Sequence, residues 1–267
     1  MKLRLGIFDS GIGGFTVLKS IQERHSSFRS IYLADTQRVP FGTKQPSEIR
    51  QIALEISKWL CRQNINAVVV ACNTTNSVAL DVVKNNVEVP VFDLIGSTSE
   101  LIHESRIGIL ATPSTVASKA YSKEILSSKP FSFVLEEGCP EFVPMIERGQ
   151  INSSEVRGAI VNHLEPLIKE NVEAIVLGCS HFPLLKPIFK ELMPSNIRLI
   201  DPSLNLAKKL DTLITPSVNE VDLARKPIDI HFCVTSDPSQ FSDKASHWLG
   251  IRPEVEVISL RSHSCVF

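Results

Sequence analysis

The feature that most constrains this chain is a long internal repeat. Residues 67–76 read AVVVACNTTN and residues 174–182 read AIVLGCSHF. Aligning Ala67 with Ala174 puts Cys72 on Cys179, Asn73 on Ser180 and Thr74 on His181, 107 residues apart. LGIFDSG at 5–11 pairs with IGILATP at 107–113 at an offset of 102, and PVFDLIG at 90–96 pairs with RLIDPSL at 198–204 at an offset of 108. A period this long, seen only twice, describes a duplicated α/β unit and not a solenoid array. Each copy ends a run of small and β-branched apolar residues in a cysteine, so two thiols are expected to face each other across a cleft.

Read in order, the first unit predicts strands at 3–8, 31–34, 68–72 and 90–94, with helices at 15–25, 48–64 (capped by Ser47) and 74–85 between them. The second unit predicts strands at 108–111, 131–135, 174–179 and 197–200. Its helices are expected at 116–127, in a short piece ending at Gly149, at 156–170 and at 184–192. The remainder does not repeat: a helix at 206–213, a strand at 228–234, a capped helix in SDPSQFSDKASHWLG and a final strand in VEVISL. The expected fold class is therefore α/β: two pseudo-symmetric, doubly wound parallel-sheet domains with the active site in the cleft between them. The expected boundaries are 1–95 plus 206–267 for one domain, with the tail packing back onto unit one, and 96–205 for the other.

Charge excludes several partners. Lys plus Arg total 28 against 29 Asp plus Glu, so there is no electrostatic bias toward nucleic acid or an anionic membrane surface. The longest apolar runs are far too short to span a bilayer, and MKLRLGIFDSG runs directly into a strand where a signal peptide would carry its apolar core. A cytoplasmic protein is expected. The six cysteines form no CxxC pair and no Cys/His finger spacing, so no metal site is expected. Cys61, Cys139, Cys233 and Cys265 read as structural or inert thiols.

Ligands of open parallel sheets bind beyond the carboxyl ends of the strands. The residues expected there are Asp9, Ser10, Asp35, Cys72, Asn73, Thr74 and Thr75 from the first half, and Thr112, Thr115, Cys179, Ser180 and His181 from the second. A lone cysteine at a strand end is most often a small buried hydrophobe. A pair at matched positions, each preceding a helix start whose dipole lowers a thiol pKa from about 8.5 toward neutrality, reads as a pair of proton carriers or nucleophiles. The glycine turn DSGIGGFT supports a rival reading, since Asp35 lies 22 residues after Gly13, where a dinucleotide fold holds its ribose. That match is partial: Thr16 stands at the third glycine position, and Asp9 would repel a pyrophosphate. On spacing alone Asp9 is equally a turn cap, His181 a satisfied helix-start histidine and Glu147 a solvated helix-end carboxylate.

GIFDSGIGG, YLADTQRVPFG, ACNTTN, ILATPSTVASKAY, CPEFVPMIERG and GCSHFP occur in this order, and from Leu5 to about Asp201 the chain resembles the glutamate racemases of the aspartate/glutamate racemase superfamily. The resemblance implies two pseudo-twofold-related α/β domains, no cofactor, and interconversion of L- and D-glutamate for peptidoglycan. It implies Cys72 and Cys179 as acid/base thiols, with Asp9, Glu147 and His181 assisting. It also implies substrate contacts from Asp9, Ser10, Phe41, Gly42, Asn73, Thr74, Ser180 and His181, and a homodimer is expected. The chain departs from the family where Phe41, Ser180 and Phe182 stand in place of Tyr, Thr and Tyr. The chemistry agrees with the residues read alone: inverting a Cα centre removes a proton from one face and delivers one to the other, which two opposed thiols can do. Two other readings stand beside it: a superfamily member acting on a different small acid, and a dinucleotide-dependent or ligand-binding α/β protein.

Overall fold

The computed structural model describes residues 3–25, 28–214 and 229–260, so Cys265 and the first residue of the strand expected at 228–234 lie outside the described residues. Eight strands come from the repeat. β1 (Arg4–Asp9), β2 (Arg29–Ala34), β3 (Ala67–Val70) and β4 (Val91–Asp93) belong to one sheet, and β5 (Arg106–Ala111), β6 (Phe133–Gly138), β7 (Ala174–Gly178) and β8 (Arg198–Ile200) to a second. All pairings are parallel, and the second sheet runs β6-β5-β7-β8, which reproduces the β2-β1-β3-β4 core of the first. The register repeats as well: Leu5 pairs with Ala67 in the first sheet and Ile107 with Ala174 in the second. Parallel sheets are covered on both faces, which is why Val68, Val69, Val70, Ile175 and Val176 are all fully buried.

The helices follow from apolar periodicity. α1 (Gly14–Arg24) buries Phe15, Val17, Leu18 and Ile21, and α2 (Pro46–Leu60) buries Ile49, Ile52, Ile56 and Leu60. α3 (Asn73–Asn86) begins directly after Cys72. The second half carries α4 (Pro113–Ser118), α5 (Ala120–Ser128), α6 (Phe142–Glu147), α7 (Ser154–Lys169) and α8 (Lys186–Leu192), followed by α9 (Pro202–Lys209). In the tail, β9 (Asp229–Val234) pairs with β2, β10 (Val255–Val257) pairs with β9, and α10 (Pro238–Leu249) connects them. Phe15 of α1, Tyr32 of β2, Phe232 of β9 and Phe241 of α10 form one aromatic cluster, with centroids 5.1 Å apart for Phe15–Phe241 and 5.8 Å for Tyr32–Phe232.

Several expectations change in detail, among them the helix expected at 206–213, which runs Pro202–Lys209. α2 starts at Pro46 after Gln45 and has no side-chain cap, because a proline at the first helical position needs no N–H partner and takes the place expected of Ser47. The helix expected at 116–127 is two helices, broken where Lys119 adopts φ 57°. The strand expected at 131–135 begins at Phe133: a Lys129–Ser132 turn precedes it and leaves Phe131 99% exposed. Only Val255–Val257 of VEVISL forms a strand.

Candidate active site

The polar strand ends converge. Asp9 ends β1, Cys72 precedes α3, and Cys179, Ser180 and His181 follow β7; all five are buried. The two halves are joined here by hydrogen bonds. Ser180 Oγ donates to Asp9 Oδ1 at 3.0 Å, while Gly11 N–H donates to Asp9 Oδ2 at 2.9 Å. Thr16 Oγ1 reaches Ser180 O at 2.8 Å, Tyr121 Oη donates to Asn73 Oδ1 at 2.5 Å, and the Thr74 and Thr112 hydroxyls meet at 3.0 Å. Glycine is required where the chain turns against this network: a Cβ on Gly13 would overlap the His181 ring and stand 2.5 Å from Ser180 Oγ. On Gly42 it would stand 2.5 Å from Thr112 Cβ. Phe41 is buried in the apolar cluster beside the first sheet that also holds Cys72. Ser10 is buried directly after Asp9.

The two thiols have different companions. Burial, reinforced by the Asp9 carboxylate, pushes the Cys72 thiol up to about 12, against the opposing donors of Thr75. This corrects the expectation that a helix start brings the thiol toward neutrality: desolvation and a neighbouring anion outweigh the α3 dipole. Asp9 is itself raised by burial, opposed by the charge of His181 and the hydrogen bonds of Gly11 and Ser180. On the other side, burial disfavours the imidazolium of His181, but hydrogen bonds to Cys179 and Glu147 and their charges raise it well above its ordinary value. Glu147 Oε1 lies 2.8 Å from His181 Nε2, and its Oε2 accepts from Lys244 Nζ at 2.7 Å. Burial would raise Glu147, but His181 and Lys244 together hold it at about 2.

Glu147, which spacing alone did not distinguish from a solvated carboxylate, is thus largely buried in the network. Tyr121 and Lys244 were not anticipated. Each is placed by a helix outside the strand ends, α5 and α10, and no strand-end pattern marks them. Asp35 is brought elsewhere: it binds Arg38 at 2.6 Å and accepts from Thr235 at 2.8 Å, so its carboxylate is occupied and offers no ribose site. Among the described residues one metal-capable trio meets, His231, Cys233 and Glu256. It lies on the outer strands β9 and β10, away from the strand ends of β1, β3 and β7, and burial raises the Cys233 thiol to about 12, so it adds nothing to the cleft chemistry.

Two matched parallel sheets with a buried cysteine at the same strand end in each define a class. The model of the Asp/Glu/hydantoin racemase family matches residues 16–210. A glutamate racemase of Prochlorococcus marinus (strain NATL1A) is 50% identical, covering 99% of this chain and 100% of its own, and one of Synechococcus sp. (strain CC9605) is 46% identical over 95% and 96%. The crystal structure of glutamate racemase from Francisella tularensis subsp. tularensis SCHU S4 in complex with D-glutamate superposes with a TM-score of 0.88 at 32% identity, covering 98% of this chain and 99% of that one. The chain therefore belongs to the Asp/Glu/hydantoin racemase family, and within it to the glutamate racemases, which are isomerases. No helix among the described residues is long and apolar enough to cross a membrane.

Proposed function

We propose that this protein interconverts L- and D-glutamate without a cofactor, using Cys72 and Cys179 as acid/base groups on opposite faces of the substrate Cα. The observation that carries the reading is the pair of buried cysteines at matching ends of β3 and β7, each with its own charged partner. In the L-to-D direction, Cys179 takes the Cα proton, with the His181–Glu147 pair beside it, and Cys72 returns a proton from the other face. Its raised pKa suits that second role, since Cys72 rests as a thiol at neutral pH. In the reverse direction Cys72 must first ionise, and the substrate ammonium beside Asp9 would supply the positive charge that makes this possible. Ser10, Asn73, Thr74, Ser180 and the backbone at Phe41 and Gly42 would hold the two carboxylates, assisted by the N-terminus of α3. The domains of this reading are 1–95 with 206–267, and 96–205. It places the enzyme in the cytoplasm as a homodimer supplying D-glutamate to peptidoglycan.

Incubation with L-glutamate alone, followed by chiral analysis, is the direct test: D-glutamate should accumulate to equimolarity. In heavy water the product should carry solvent deuterium at Cα, because the acid that reprotonates is not the base that took the proton. Faster turnover of another acidic amino acid in a substrate panel would reassign the substrate.

A further inference from the structure

Lys244 is an unexpected neighbour for this site. It comes from α10, in the part of the chain outside the repeat, and crosses to a carboxylate 97 residues away. Glu147 has two oxygens with divided duties. Oε1 serves His181 at 2.8 Å and the Ile12 N–H at 3.3 Å, whereas Oε2 is held by Lys244 at 2.7 Å. Beside this pair lies a groove of about 750 Å³ lined in part by Ile146, Gln240, His247 and Trp248. A carboxylate without its lysine could rotate Oε2 into that groove and carry Oε1 off the imidazole. Lys244 is only 23% exposed at its side chain and Glu147 15%, so their attraction is weakly screened.

We propose that Lys244 is a positioning residue for the Cys179 half of the reaction: it pins the Glu147 carboxylate, which aims the His181 imidazole at the Cys179 sulfur. The proposal rests on the racemase reading above and deepens it, because it makes the non-repeating tail part of the machinery. It also breaks the symmetry of the site. Glu147 and His181 form the chain that ends at Cys179, while the Cys72 environment contains Asp9 and Thr75.

The test compares wild type with Lys244→Met, Lys244→Gln and Lys244→Arg, using both enantiomers of glutamate with hydrogen or deuterium at Cα. An equilibrium constant of one between enantiomers forces kcat/KM to fall equally in both directions, so the isotope effect is the discriminating readout. For Lys244→Met, kcat should fall about 10- to 100-fold with KM changed by less than about 3-fold. The substrate isotope effect should grow for L-glutamate, whose proton Cys179 removes, and not for D-glutamate. Arginine should recover most of the rate. Lys244→Gln, which keeps a donor without the charge, supplies the same comparison if the methionine variant fails to fold. A Lys244→Met or Lys244→Gln enzyme that is folded and works at the wild-type rate overturns the proposal alone. So does an isotope effect that grows equally for both enantiomers. A wild-type chain inert toward both enantiomers overturns the racemase reading and the proposal with it.

Discussion

Thr75 shows how one side chain can set the chemistry of another. Its buried hydroxyl and its backbone N–H both favour the ionised form of Cys72. A donor aimed at a thiolate is worth most when the thiolate exists, which is during turnover from D-glutamate. Thr75→Val should therefore lower kcat for D-glutamate by about 10-fold, on the order of 1.4 kcal/mol, and move the pH at which Cys72 is half alkylated upward. Mass mapping of iodoacetamide labelling across pH reads the second effect, and an unmoved midpoint would sink the idea. Glu147 makes a prediction about stability. Its folded pKa of about 2 lies below the ordinary 4.5, so its stabilising contribution is complete above pH 4.5 and is lost as pH falls toward 2. Urea midpoints measured across that window should fall less steeply for Glu147→Gln than for wild type. His181 has the opposite sign: raised on folding, it stabilises fully below its ordinary pKa, and that contribution disappears as pH rises through the folded value.

At the scale of elements, strand ends carry the site and helices from elsewhere brace it. Tyr121 on α5 reaches over to Asn73 on α3, and truncating it leaves a buried amide oxygen without a donor. Tyr121→Phe should cost about 1–3 kcal/mol of stability and raise KM for both enantiomers together, measurable by thermal melts and initial rates. An unchanged KM would show that Asn73 does not hold substrate. The strand ends were legible because β-α units announce themselves as apolar runs that stop at polar residues: Asp9, Cys72, Asn73, Cys179, Ser180 and His181 were all readable, as was their pairing through the repeat. Tyr121 and Lys244 were not, since a tyrosine after a helix break and a lysine on an amphipathic helix look like any others until tertiary packing aims them. The break itself was hidden. Lys119 adopts a left-handed conformation that local propensity disfavours, within a sequence reading as one continuous helix. The raised pKa of Cys72 was equally out of reach, because sequence shows the helix start but neither the depth of burial nor the distance to Asp9.

For the whole molecule, the question is what joins two halves that each have a complete sheet. An apolar cluster runs through both halves, and around the site polar bonds join them: Ser180 to Asp9, Thr16 to the Ser180 carbonyl, Thr74 to Thr112, Tyr121 to Asn73, and Ile12 and Lys244 to Glu147. These groups surround the proposed substrate position, so bound glutamate would add its own hydrogen bonds to both sides of the same seam. Ligand that binds only the folded, assembled cleft stabilises it by mass action, about 2.7 kcal/mol at a hundred times the dissociation constant. For a chain of this length a kilocalorie per mole corresponds to about 2 °C, so saturating glutamate should raise the melting temperature by about 5 °C. Binding and proton transfer are separable in this arrangement. The Cys72→Ser, Cys179→Ser double variant should be catalytically dead while keeping most of that shift, because hydroxyls, amides and backbone donors hold the substrate and the thiols only move its proton. Asn73→Ala should lose much of the shift, since it removes a substrate donor and one of the cross-seam bonds together. Scanning calorimetry of the three proteins, with and without glutamate, decides the point. A shift that vanishes with the two sulfurs, or survives intact without Asn73, would require the substrate to sit elsewhere than between these strand ends.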